Sequence, residues 1–148
     1  MKKAILLILI LSQFPLFGQG GISDAKMDTL LAAMSYAAAV NHYEKENFDS
    51  AIFEYSKVLL IFPELPDIYY SRGFVRYLTK DYYGAIDDLS NCLKYDPEDK
   101  DGANGNSYLF RGMAKRITGD ENGACEDFKQ AVSNGVKEAK EFLESCAD

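Results

Sequence analysis

Arg72 and Asp88 stand sixteen residues apart, and so do Arg111 and Asp127. An arginine facing an aspartate can clamp an oxyanion or orient a general base, so this couple is the first place to look for chemistry. Its recurrence at one spacing argues for a different job. If the chain reverses near Asp81, Arg72 lies about nine residues before the turn and Asp88 about seven after it. Antiparallel helices would then hold the two side chains level. Each pair is read as an ion pair bridging two helices, with a planar guanidinium matched to a carboxylate. The corresponding earlier positions hold Ala38 and Glu54, so the pair is absent there.

The other chemistry-bearing residues are few. His42 is the single histidine; with no Cys/His cluster at metal spacing around it, it is assigned to packing between helices. "PEDKDGANG" has the acids and glycines of a calcium loop. Registering Asp101-Gly102 on an EF-hand, however, puts Pro97 first and Tyr108 twelfth, where an acid and a glutamate are needed. No glycine-rich phosphate loop or nucleophile elbow occurs. No catalytic residue, metal or cofactor is assigned, and the chain is not expected to be an enzyme.

The three cysteines divide. Cys125 lies ten residues before Gly135 and Cys146 eleven after it. A turn at Gly135 between antiparallel helices would bring them level. Cys125, Phe128 and Val132 share one helical stripe, and Ala139, Phe142 and Cys146 share another. A Cys125–Cys146 disulfide is expected, the alternative being two buried free thiols. Cys92, on the stripe of Leu89, is read as a small core residue.

The elements that must position these residues follow from an internal repeat. "NFDSAIFEYSKVLLIFP", "DYYGAIDDLSNCLKYDP" and "DENGACEDFKQAVSNGV" align on Ala51, Ala85 and Ala124, thirty-four and then thirty-nine residues apart. The extra five residues are placed in the loop "EDKDGANG". Upstream, "SYAAAVNHY", "YYSRGFVRY" and "YLFRGMAKR" align Ala39, Gly73 and Gly112. Each unit is two helices. Tyr69, Gly73, Arg76 and Tyr77 give the rhythm of a first helix, and Ala85, Ile86, Leu89 and Leu93 that of a second. Pro63 and Pro97 end the first two pairs. A glycine or alanine facing an alanine lets the paired helices approach closely.

A thirty-four-residue helix-turn-helix unit with small residues at these places resembles the tetratricopeptide repeat. The matching residues are Gly73, Tyr77, Tyr82, Ala85, Leu89 and Pro97, and in the first unit Ala39, Tyr43, Phe48, Ala51, Tyr55 and Pro63. The third unit keeps Tyr108, Gly112, Ala124, Phe128 and Ala131 but has Glu121 at the turn aromatic and Val136 at the terminal proline. The resemblance implies an all-α solenoid of three such repeats with a C-terminal capping helix. The repeats are bounded at about 32–65, 66–99 and 105–136, and the cap at 137–146. Residues 19–31 are a partly helical lead-in, with Ser23 or Asp24 as an N-cap. The cap helix "VKEAKEFLESCA" is amphipathic and covers the apolar face of the last repeat.

The resemblance also implies that the first helix of each pair lines a concave face. Tyr36, Val40 and Tyr43, then Tyr70, Phe74 and Tyr77, then Leu109, Met113 and Arg116 follow one i, i+4, i+7 pattern there. Stacked, they would make a tyrosine-rich apolar groove edged by Arg116, suited to a peptide or helix. The alternative is ordinary packing. A variant of the family grips a C-terminal carboxylate with basic residues and asparagine. The corresponding places here hold Tyr36, Val40, Ser71, Asn106 and Phe110, so that activity is not carried over.

Charge and the first residues narrow the setting. "MKKAILLILILSQFPLFGQGG" runs from a basic end through an apolar stretch to small residues, the order of a secretory signal peptide, expected to span residues 1–18. The apolar run is too short to span a bilayer comfortably, and after cleavage no membrane span is expected. Without Lys2 and Lys3 the net charge of −7 becomes −9. An acidic chain with no basic stripe is not expected to bind nucleic acid. The expectation is an exported, periplasmic or secreted scaffold that binds a protein or peptide of the envelope. The alternative is a structural module that self-associates as a homo-oligomer.

Overall fold

A computed structural model describes residues 23–99 and 104–146 of this chain. The leader expected at 1–18 lies outside the described residues, as does part of the loop before the third repeat. Among the described residues there are seven helices and no strand. They are α1 (Asp24–Glu44), α2 (Phe48–Ile61), α3 (Pro66–Leu78), α4 (Tyr82–Tyr95), α5 (Asn104–Thr118), α6 (Glu121–Ser133) and α7 (Ala139–Glu144). The compact unit that carries the features below starts at Leu31.

The repeat is visible in the way the helices start and stop. Pro66 stands at the head of α3, where its fixed φ and missing N–H cost nothing. Asp81 and Asp120 cap α4 and α6: each side chain accepts from the backbone N–H three residues on, at Gly84 and Gly123, over 3.0 Å. The first helix of each pair ends on a left-handed residue, Glu46, Lys80 or Gly119, at one repeat register. The next N–H, of Asn47, Asp81 or Asp120, closes on the carbonyl of His42, Arg76 or Lys115 at 2.9 Å in all three. This turn is worth a strained backbone twice, since only Gly119 reaches it without a Cβ penalty.

The small residues act where the helices cross. Ala39, Ala51, Ala85 and Ala124 are fully buried. A Cβ at Gly112 would lie 2.8 Å from Phe128 Cε1, and one at Gly73 would lie 3.0 Å from Leu89 Cγ. A larger side chain at either place would push the pair apart. Two apolar clusters result. One centres on Tyr55, Val58, Leu59, Ile68 and Val75. The other joins Leu109, Ala124, Phe128 and Ala131 to Ala139 beneath α7. Between them, Cys92 is buried as expected of a small core residue, its Sγ 3.3 Å from Ser107 Oγ.

Two boundaries differ from the sequence expectation. The loop before the third repeat ends earlier, because Asn104 is already helical: its N–H bonds to Asp99 Oδ1 at 2.9 Å and its side chain to Asp96 O at 2.7 Å. The regular part of the cap helix is shorter, with a turn after Gly135 and only Ala139–Glu144 as α7.

Candidate functional site

The Arg/Asp couples are structural. Arg72 holds Asp88 with two bonds, Nε to Oδ2 at 2.8 Å and Nη2 to Oδ1 at 2.7 Å. Arg111 holds Asp127 the same way at 2.8 and 2.6 Å. Sequence spacing missed two further layers. Arg76 adds a bond to Asp88 at 3.0 Å, and Lys115 adds one to Asp127 at 2.9 Å. Arg72 also donates to Ser56 Oγ, and Arg111 to Ser90 Oγ, on the preceding second helices. Each arginine thus links two repeats, and each carboxylate has both oxygens occupied by cations. Such a group is committed to architecture and has no free lone-pair geometry for a substrate.

The first helices of the pairs carry a continuous aromatic strip. Tyr43 faces Phe74 at 6.4 Å between ring centroids, Tyr70 lies parallel to Phe74 at 6.3 Å, and Phe74 meets Phe110 at 4.7 Å. Tyr77 packs on Phe110 at 5.5 Å, and its hydroxyl donates to Met113 Sδ at 3.9 Å. The strip therefore joins α1, α3 and α5. A cavity of about 270 Å³ opens on it, lined by Tyr43, Tyr55, Tyr70, Ser71, Phe74 and Val75. Burial pushes the phenols of Tyr55, Tyr70 and Tyr77 above their ordinary value, with neighbouring tyrosines adding to it. They remain neutral hydroxyls at physiological pH.

Of the nine groove residues expected from sequence, Tyr43, Tyr70, Phe74, Tyr77 and Met113 come together here. Tyr36 is exposed on α1 and packs on Tyr55 at 6.3 Å, and Val40 is half-buried on the same helix. Two expectations are corrected. Leu109 is only 8% exposed and belongs to the core with Ala124 and Phe128, because α5 turns that register inward. Arg116 does not edge the groove. It bonds Glu121 Oε1 at 2.8 Å and Ser145 Oγ at 2.9 Å, and its guanidinium lies 4.7 Å over the Phe128 ring. Glu121 and Phe128 belong to α6 and Ser145 follows α7, so Arg116 ties the last helices together. Sequence reasoning missed Phe110 and Tyr55. Phe110 shares its register with Ala37 and Ser71, so periodicity discounted it; Tyr55 shares its register with Leu89 and Phe128 and passed for core alone.

Cys125 and Cys146 are joined, with their Cα atoms 5.8 Å apart, and the bond ties α6 to the turn after α7. The Arg116 guanidinium lies 3.2 Å from Cys146 Sγ. Glu121, Cys125 and Cys146 have the closeness of a metal-ligand trio. With both sulfurs bonded to each other, neither is a thiolate ligand. His42 Nδ1 is buried without a hydrogen-bond partner.

A stack of helix-turn-helix repeats, each helix packed on the next, defines an α-solenoid. Its fold is that of tetratricopeptide-repeat domains. The N-terminal domain of stress-induced protein-1 from C. elegans superposes with a TM-score of 0.72 at 15% identity, over 82% of this chain and 98% of that one. The second TPR domain of human RPAP3, solved in complex with HSP70 peptide SGPTIEEVD, superposes with a TM-score of 0.70 at 18% identity, over 82% of this chain and 98% of that one. In sequence, the chain is 30% identical over 101 residues to tetratricopeptide repeat protein 36 of Xenopus tropicalis. That match takes in 68% of this chain, which spans about half, 49%, of that relative's length. No protein-family model matches the chain. The repeat pattern and the fold are those of tetratricopeptide-repeat domains, and the sequence match is to a protein named for that repeat. No helix among the described residues is long and apolar enough to cross a membrane.

Proposed function

We propose that this chain is an exported, non-enzymatic interaction scaffold whose aromatic strip holds a peptide or helix of an envelope protein. The observation that carries this reading is the unbroken run of rings from Tyr43 through Phe74 and Phe110 to Tyr77 across three repeats. Aromatic side chains offer large contact area at small ordering cost, and a groove fixed by packed helices needs little rearrangement to bind. The human RPAP3 domain holds a peptide on this same fold. That peptide ends in acidic residues. This chain has Tyr36, Val40, Ser71, Asn106 and Phe110 where the carboxylate-gripping variant uses basic residues and asparagine, so the basic residues are missing and its ligand is of another kind. Export rests on the basic, apolar and small-residue order of residues 1–18 and on the Cys125–Cys146 pairing, since disulfides persist in oxidising compartments.

Panning a random peptide library on the purified protein tests the groove. Clones that bind the wild type and are lost on a Tyr70→Ser/Phe74→Ser variant support it. Clones that bind both equally contradict it.

A second reading, self-association, is favoured by one observation. Leu60, 84% exposed, lines a cleft of about 440 Å³ with Leu31, Met34, Ala38 and Ile61, and Ser35, Glu54 and Lys57 complete the lining. Apolar surface of this kind, left uncovered, marks an interface. Light scattering decides it: a dimer that becomes monomeric on Leu60→Lys supports self-association, and a wild-type monomer at high concentration removes it.

A further inference from the structure

We propose that the cavity between α1 and α3 takes an organic cation, the guanidinium or ammonium end of a basic side chain on the bound segment. This deepens the groove reading above and rests on it. The cavity walls are four aromatic rings, those of Tyr43, Tyr55, Tyr70 and Phe74, with Ser71 and Val75 completing the lining. No charged residue lines it. Aromatic faces carry the negative side of the ring quadrupole, and a cation within about 6 Å of several ring centroids is held by all of them. Tyr70 and Phe74 present nearly parallel rings 6.3 Å apart, and Tyr43 is inclined to Phe74 at 6.4 Å, so the lining rings lie in more than one plane.

The chain's four arginines are engaged elsewhere. Arg72 and Arg76 are bound to Asp88, Arg111 to Asp127, and Arg116 to Glu121. An anion would find only ring faces and hydroxyls, with no positive partner for its charge. A cation meets rings, hydroxyl oxygens and a chain whose net charge is −7, which attracts it over longer range. The volume, about 270 Å³, suits the end of one side chain. It falls just short of the roughly 300 Å³ at which drug-sized ligand pockets begin. The flanking strip over Phe110 and Tyr77 would take the apolar neighbours of that basic residue.

The test uses the purified protein and three capped pentapeptides, acetyl-Leu-Ala-Xaa-Ala-Leu-amide, with arginine, citrulline or glutamate at Xaa. Citrulline keeps the shape of arginine and removes the charge. Binding is followed by amide chemical shifts on α1 and α3. The expected result is an arginine peptide bound about tenfold more tightly than the citrulline peptide, with the glutamate peptide weakest. That preference should shrink on Tyr70→Leu, with Phe74→Leu as a second variant should the first not fold. Equal affinity for arginine and citrulline overturns the cation inference and leaves the groove standing. Tightest binding of the glutamate peptide overturns it outright. No shift on α1 or α3 with any peptide also overturns it, and panning decides the groove itself separately.

Discussion

Asp88, only 1% exposed, receives Arg72 edge to edge through two parallel hydrogen bonds of 2.8 and 2.7 Å. Arg76 holds it from a second side at 3.0 Å. Removing one partner of a buried, hydrogen-bonded pair costs about 3–5 kcal/mol, because the other charge is left unpaired. Asp88→Ala is therefore expected to lower stability by about 3 kcal/mol in urea unfolding. The Arg72→Met/Asp88→Leu double variant should cost clearly less than the sum of the two singles. An additive double variant would show that the pair contributes nothing as a unit.

Alkaline pH should loosen the groove. Burial raises Tyr70 above its ordinary value of 10.0, with Cys92 and Tyr43 adding to the rise, and burial raises Tyr55 and Tyr77 as well. The fold thus favours the neutral phenols. Their contribution is complete below the unfolded value and is lost as pH rises through the folded one. Stability is expected to fall above about pH 10, and Tyr70→Phe should make that fall shallower. Phenolate absorbance on titration checks it: all tyrosines ionising together at the ordinary value would contradict the burial argument.

The bond between Cys125 and Cys146 closes a separation of 21 residues. Reducing it should cost about 3 kcal/mol and release mainly α7 and the Ala139–Phe142 contacts on Phe128. Hydrogen exchange on the reduced and oxidised protein should differ at the C-terminal end and agree in α3 and α4. Alkylation of all three cysteines without reductant, seen as intact mass, would contradict the bond.

The architecture was legible because it repeats. Gly112 over Phe128 and Gly73 over Leu89 are places where size is dictated by a neighbouring helix, and a repeat writes that constraint more than once. The Arg–Asp pairs were legible for the same reason, a fixed spacing about a fixed turn. What escaped was anything set by contacts between repeats or by the chain end. Ser56 and Ser90 reach their arginines across repeat boundaries, where spacing says nothing of helix crossing. Phe110 completes the strip from a register held by small residues elsewhere. Leu109 and Arg116 sit at groove registers, yet Leu109 packs into the core with Phe128 and Ala139, and Arg116 bonds Glu121 of α6 and Ser145 after α7.

The most direct measurement of the central claim is site-specific photocrosslinking in cells. A photoreactive phenylalanine analogue is placed at Phe74 in the strip and, as a control, at Phe53, which is exposed away from the strip on α2. The account predicts a covalent product with one defined segment of a partner protein from Phe74, diminished by Tyr70→Ser and absent from Phe53. A product from Phe53 with none from Phe74 would contradict the groove.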